Sequence, residues 1–190
     1  SPTDLPEKVK KAREAATEFI PALQNRFTSA DGSIHAGTIL AAAAWLTGTS
    51  LYRAFTKENL PPGTIIKSKE INKEWESLMY LFEEYNFGNA RTPVGQFMMA
   101  ALAASDQHKP HVEMSDVQRE FQERYNIMMK KHGFDYLDGA RAGVILCSIL
   151  FQQHCKVAKD IDPNVAAGII AQGILEAAKT APPPLEQAND

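Results

Sequence analysis

The stretch SIHAGTILAAAAWLTGTS, Ser33 to Ser50, constrains this chain more than any other. It contains no Asp, Glu, Lys or Arg. A segment this poor in charge can be housed in a bilayer or in the centre of a folded domain. A spanning helix needs about 20 mostly apolar residues. Here the apolar run ends at Leu46, is interrupted by His35 and Thr38, and is followed by Thr47, Gly48, Thr49, Ser50 and Arg53. A helix apolar nearly all round, but too short and too polar at one end for a membrane, belongs in the middle of a soluble bundle. The expectation is a helix over 34–55, buried on most sides, and no membrane partner.

Helical periodicity continues along the rest of the chain. A first helix is expected from Asp4 to Thr28, capped by Asp4 with Glu7 three residues on, and kinked or split at Pro21. The loop TKENLPPGTIIKS follows the second helix, with Ile65 and Ile66 pinning it to the core. Ser68 caps a third helix carrying Ile71, Trp75, Leu78, Met79, Phe82 and Tyr85 on one face, and Gly88 stops it. Thr92 and Pro93 open a fourth. Ser115 and Gln118 form a capping box for a fifth, in which Phe121 and Tyr125 recur, and Gly133 ends it. A sixth, 135–159, contains the second greasy segment, AGVILCSILF. Asp162 and Pro163 start a seventh. Few strand signals appear. These readings give an all-α, single-domain bundle of about seven helices over 1–180, with two central hydrophobic helices and a flexible Pro-rich tail over 181–190.

Six glycines, Gly37, Gly48, Gly95, Gly143, Gly168 and Gly173, fall inside these helices, where each costs about 1 kcal/mol against alanine. Close helix crossing explains them, and approach of backbone to a ligand is the alternative. The second and sixth helices also share Ala-Gly-x-Ile-Leu, at 36–40 and 142–146, which suggests a duplicated helix pair.

The function classes narrow by exclusion. A net charge of −3 and the lack of a basic excess argue against a nucleic-acid partner. Cys147 and Cys155, eight residues apart on a helix, stand about 12 Å from each other, too far for a disulfide, so reduced thiols and a cytoplasmic setting are expected. The polar opening SPTDLPEKVKKAREA reads as a helix start rather than a leader. No phosphate loop, dinucleotide fingerprint, nucleophile elbow, zinc-protease or calcium-loop motif occurs, and no catalytic residue, cofactor or metal is assigned. The HxxH of His108 and His111, broken by Pro110, reads as surface loop. His154 and Cys155 point about 100° apart and read as core.

What remains is a thin polar strip on each central helix. On the sixth it holds Arg141, Ser148, Gln152, Cys155 and Lys159, and on the second His35, Thr49 and Arg53. Aligning the shared motif sets His35 against Arg141. Two functions follow as expectations. The first is a non-enzymatic protein acting through association, a homodimer joined by the third or fifth helix, where aromatics recur. The second is a binder of an anionic or amphipathic small molecule, with a pocket between helices 34–55 and 135–159. Its candidate contacts are His35, Trp45, Arg53, Arg141, Ser148 and Gln152, and Arg141 clamps the anion with its planar fork. A base role for His35 or His154 is a third.

Overall fold

The computed structural model describes residues 4–88 and 93–186. It is an all-α bundle: α1 Asp4–Phe27, α2 Ala36–Phe55, α3 Lys69–Phe87, α4 Val94–Ala103, α5 Ser105–His108, α6 Met114–Lys131, α7 Tyr136–Gln152 and α8 Pro163–Ala178. Among the described residues no helix is long and apolar enough to cross a membrane.

Helix α2 is the axis of the molecule. Sixteen of its twenty residues are buried, and it packs chiefly against α8 and α7, with α6 and α1 closing further sides. Its alanines make this possible, because small side chains let three helices approach one cylinder. The glycines mark the tightest points. A Cβ at Gly48 would strike the Ile174 carbonyl and Ala177, one at Gly173 would strike Ala44, and one at Gly143 would strike Thr47. A Cβ at Gly95 would meet nothing, so close crossing does not account for that glycine.

The two greasy segments do lie side by side, and they run antiparallel. The Ser50 hydroxyl donates to the Tyr136 carbonyl at 2.6 Å, and Thr47 Oγ1 sits 3.7 Å from Cys147 Sγ. The early part of α7 therefore meets the late part of α2.

The helix ends follow local chemistry with several departures. Ser68 accepts from the Ile71 amide at 3.2 Å, and Gly88 leaves α3 with φ +68. Asp135 and Asp138 form a reciprocal capping box on α7, and Asp162 caps α8 ahead of Pro163. The caps expected of Asp4 and Thr92 rest on side chains outside the described residues. Helix α1 runs through Pro21 without a break. The proline and Thr17, whose carbonyl loses a donor, both lie on its exposed side, where water can serve that carbonyl. The expected capping box of α6 does not form. The helix starts two residues earlier, with Glu113 at the N-cap and no side-chain cap bond. Gln118 instead turns inward and donates to Thr49 Oγ1 at 2.9 Å. Helix α7 stops short of Lys159. A π-helical turn, Gln153–Val157, follows it, and Lys159 takes a left-handed φ of 54.

The Pro-rich segment, expected as a loose tail, is packed as far as Pro183. Gly63 N donates to the Ala181 carbonyl and Ala181 N to the Thr64 carbonyl, both at 2.8 Å, and Ile66 N reaches the Lys179 carbonyl. Ala181, Pro182 and Pro183 are buried. Prolines cannot extend a helix, but an extended strap with free carbonyls can lie across polar side chains. The same backbone pairing separates the two isoleucines of the loop: Ile66 packs on the core, whereas Ile65 is 80% exposed.

Candidate functional site

The last turn of α2 places the buried Tyr52 and the half-buried Arg53 under the strap. Arg53 Nη2 donates to Gln122 Oε1 at 3.0 Å and to the Pro183 carbonyl at 3.1 Å. Gln122 Nε2 donates to the same carbonyl at 2.9 Å. Both acceptors of Arg53 are neutral. No ion pair joins it to a carboxylate among the described residues, and its Nε is shielded from water with no partner. Burial pulls the guanidinium below its ordinary value, yet Arg stays a cation at any physiological pH. Next to it the buried Tyr52 hydroxyl also lacks a partner, and burial pushes that phenol up, so it remains a neutral donor. Both residues line a cleft of about 680 Å³, together with Thr56, Lys57, Glu58, Asn59 and Pro184.

The remaining candidates separate from this cleft. Trp45, half-buried, stands between two other clefts of about 480 and 260 Å³, which share Lys109, Pro110 and Met114 as lining. Arg141 is half exposed and pairs with Asp138 at 3.7 Å. The antiparallel run of α2 and α7 sets it level with the later half of α2, far from His35, so the alignment that put those two together does not hold. Ser148 and Gln152 belong to a seam between α7 and α3. Asn86 Nδ2 donates to Ser148 Oγ at 3.1 Å, and Gln152 Nε2 donates to Asn86 Oδ1 at 2.5 Å. His35 and Arg53 sit at opposite ends of one helix, about 27 Å apart at 1.5 Å per residue. No small ligand touches both.

His35 has its own company, which the sequence reading missed. Its ring stacks on His111 with centroids 3.8 Å apart and 19° between planes, and His108 lies 6.4 Å away. These three line a cleft of about 320 Å³ with Asp160. Asp160 in turn sits 3.2 Å from His154 Nδ1, and His154 Nε2 is buried without a partner. Four of the chain's five histidines thus gather at the N-terminal end of α2. The HKPH signal was there to be read. What the sequence lacked was any sign that a segment more than seventy residues on would fold back onto His35. Among the described residues, no set of three His, Cys, Asp or Glu is placed to hold a metal ion.

Neither cysteine suits nucleophilic chemistry. Both are buried and free, and burial pushes each thiol up to about 12. On the helices expected to carry a dimer interface, Phe121 and Tyr125 of α6 are spent on the core, stacking edge-on against Phe19. Tyr80 and Tyr85 of α3 are 45% and 51% exposed.

Comparison with protein-family models, with curated proteins and with solved structures returned no match.

Proposed function

We propose that this chain binds a small anionic ligand, a carboxylate or a phosphate, in the cleft over Tyr52 and Arg53. One observation carries the reading: a guanidinium lining a cleft and hydrogen-bonded to neutral acceptors only, beside a buried phenol without a partner. A buried donor without a partner costs about 1–3 kcal/mol, more when charged. Proteins tolerate that cost where an absent partner repays it. The planar fork of Arg suits a two-oxygen anion; Lys57 and Glu58 in the same lining offset each other, so the attraction rests on Arg53.

Calorimetric titration and thermal shift with inorganic phosphate, acetate and succinate test this. Binding by at least one of them is expected in the wild type, weakened at least tenfold in Arg53→Gln and several-fold in Tyr52→Phe. If no anion binds, or if both variants bind as the wild type does, the reading is wrong.

The α3 surface supports self-association as a second reading. Leu81 and Tyr85, four residues apart, share one exposed stripe of that helix, and aromatic residues of this kind anchor interfaces. Sedimentation equilibrium should give a dimer that Tyr85→Lys converts to a monomer; a wild type that stays monomeric at high concentration removes it.

A further inference from the structure

Residues 104–112 cross the start of α2 and are held there through one imidazole. The Gln107 carbonyl can only accept a hydrogen bond, so the 3.1 Å contact assigns the proton to His35 Nε2. Nδ1 is then a bare acceptor. It takes the Thr38 hydroxyl at 2.7 Å and the Thr38 amide at 3.2 Å, which makes it the N-cap of α2. Thr38 Oγ1 accepts in turn from the His111 amide at 3.0 Å. The crossing itself is tight, since a Cβ at Gly37 would strike the His108 carbonyl. One ring, in one tautomer, thus joins the cap of the central helix to Gln107 and, through Thr38, to His111 of the crossing segment.

We propose that His35 is a proton-operated latch: neutral, it holds residues 104–112 on the N-terminus of α2, and protonated, it lets them go. A proton on Nδ1 would change three contacts. It would turn an acceptor into a donor facing the Thr38 N–H. It would put positive charge at a helix N-terminus, where the macrodipole is already positive. It would also place a cation against the stacked ring of His111 and close to His108. The other groups facing the ring are few. Asp31, in the preceding turn, is engaged by the Ser33 amide and hydroxyl at 3.0 and 2.6 Å. From the turn after the π-helical segment comes Asp160, already beside His154. Lys109 and Asp106 on the crossing segment, and Lys156 and Lys159 beside Asp160 in the chain, are exposed. Asp160 is the one carboxylate in the cleft, facing three imidazoles. Burial and the neighbouring His35 hold His108 below the ordinary imidazole value, with Asp160 opposing. Release has a consequence, because Ser105, His108, Lys109 and Pro110 form one wall of the smaller Trp45 cleft. The ligand of this device is the proton, and its output is access to Trp45.

Residue-resolved amide exchange by NMR at pH 7.5 and 5.5, corrected for intrinsic rates, tests the latch. The protection factor of the His111 amide should fall at least tenfold on acidification, while that of Ile170 in α8 stays within twofold. His35→Asn keeps a cap oxygen that does not titrate and should abolish the drop. Equal protection of His111 at the two pH values, or a drop that persists in His35→Asn, overturns the proposal. Should that variant not fold, the wild type still decides. Nitrogen-15 shifts must report the Nε2–H tautomer of His35 at pH 7.5, and its titration must track the loss of His111 protection. An Nδ1–H tautomer, or two curves that do not coincide, overturns it equally.

Discussion

A glycine in a helix is either a crossing point or a loss, and this chain holds both kinds. Gly48 lies under the Ile174 carbonyl and Ala177, where an added methyl has no room. Gly48→Ala should therefore cost about 1–3 kcal/mol, the range for overpacking a filled core. Gly95 faces open space in the first turn of α4, so Gly95→Ala should stabilise by up to about 1 kcal/mol. Urea denaturation of the two variants decides it; equal effects of the same sign would refute the distinction. Sequence pattern marked Gly48 and Gly95 alike, because a one-dimensional pattern shows where a Cβ is missing but not what lies across from it. Arg53 calls for the opposite argument. It spends a half-buried charge on two neutral acceptors and leaves one donor idle. A residue kept for structure is missed when removed, whereas one kept for a ligand is not. Arg53→Met retains the stem that packs under the strap and deletes the charge. Its unfolding free energy in urea should stay within about 1 kcal/mol of the wild type, with the anion response gone. A loss of several kcal/mol would make Arg53 a structural residue.

At the scale of elements, the helices were legible because one face of each is apolar at the helical period, and burial acts on that face wherever the helix ends up. Ends were less legible. Ser115 and Gln118 have the spacing of a capping box, but Gln118 gains a buried hydrogen bond to Thr49 instead. That competitor lies on α2, sixty-nine residues away. The direction of α7 against α2 was hidden for a related reason: four helices separate them in the chain, so no short loop fixes their sense. The shared Ala-Gly-x-Ile-Leu invited a like-with-like pairing that the antiparallel packing forbids. The strap over residues 181–184 was hidden too, because three prolines read as a helix stop and not as three carbonyls. Pro183 supplies one of those carbonyls to both Arg53 and Gln122. Ending the chain after Ala181 keeps the backbone pairing with residues 63 and 64 but removes that acceptor. The truncated chain should lose about 1–3 kcal/mol, read as a lower Tm by calorimetry. An unchanged Tm would mean that the strap adds nothing to the stability of the cleft floor.

For the whole molecule, the two polar ends of α2 divide the work: a cation with no ion pair among the described residues at the C-terminal end, and a knot of imidazoles at the N-terminal end. This division gives a pH dependence whose sign can be worked out. His108 is held below the ordinary imidazole value of 6.5, chiefly by burial and then by His35. The unfolded chain therefore takes up this proton first as pH falls. Its contribution to folding is fully present above 6.5 and is lost as pH falls from there through the lowered folded value. Glu18, Asp31 and Asp135 are also lowered, from 4.5, 3.8 and 3.8: hydrogen bonds from Lys131, from Ser33 and from the Asp138 amide, respectively, are the largest causes. Their contributions are present above those ordinary values and decline only below them. The interval from pH 7 to 5 thus isolates the histidines from the carboxylates. Thermal unfolding followed by circular dichroism should give a Tm that falls between pH 7 and pH 5, before the carboxylates begin to titrate. His108→Gln, which keeps a polar side chain without a titrating group, should flatten that slope. A Tm that is level or rises on acidification, or a slope that His108→Gln leaves intact, would mean that the folded protein accepts protons at this cluster as readily as the open chain does. In that case the packing of residues 104–112 over α2 would give no discrimination between the neutral and the charged ring.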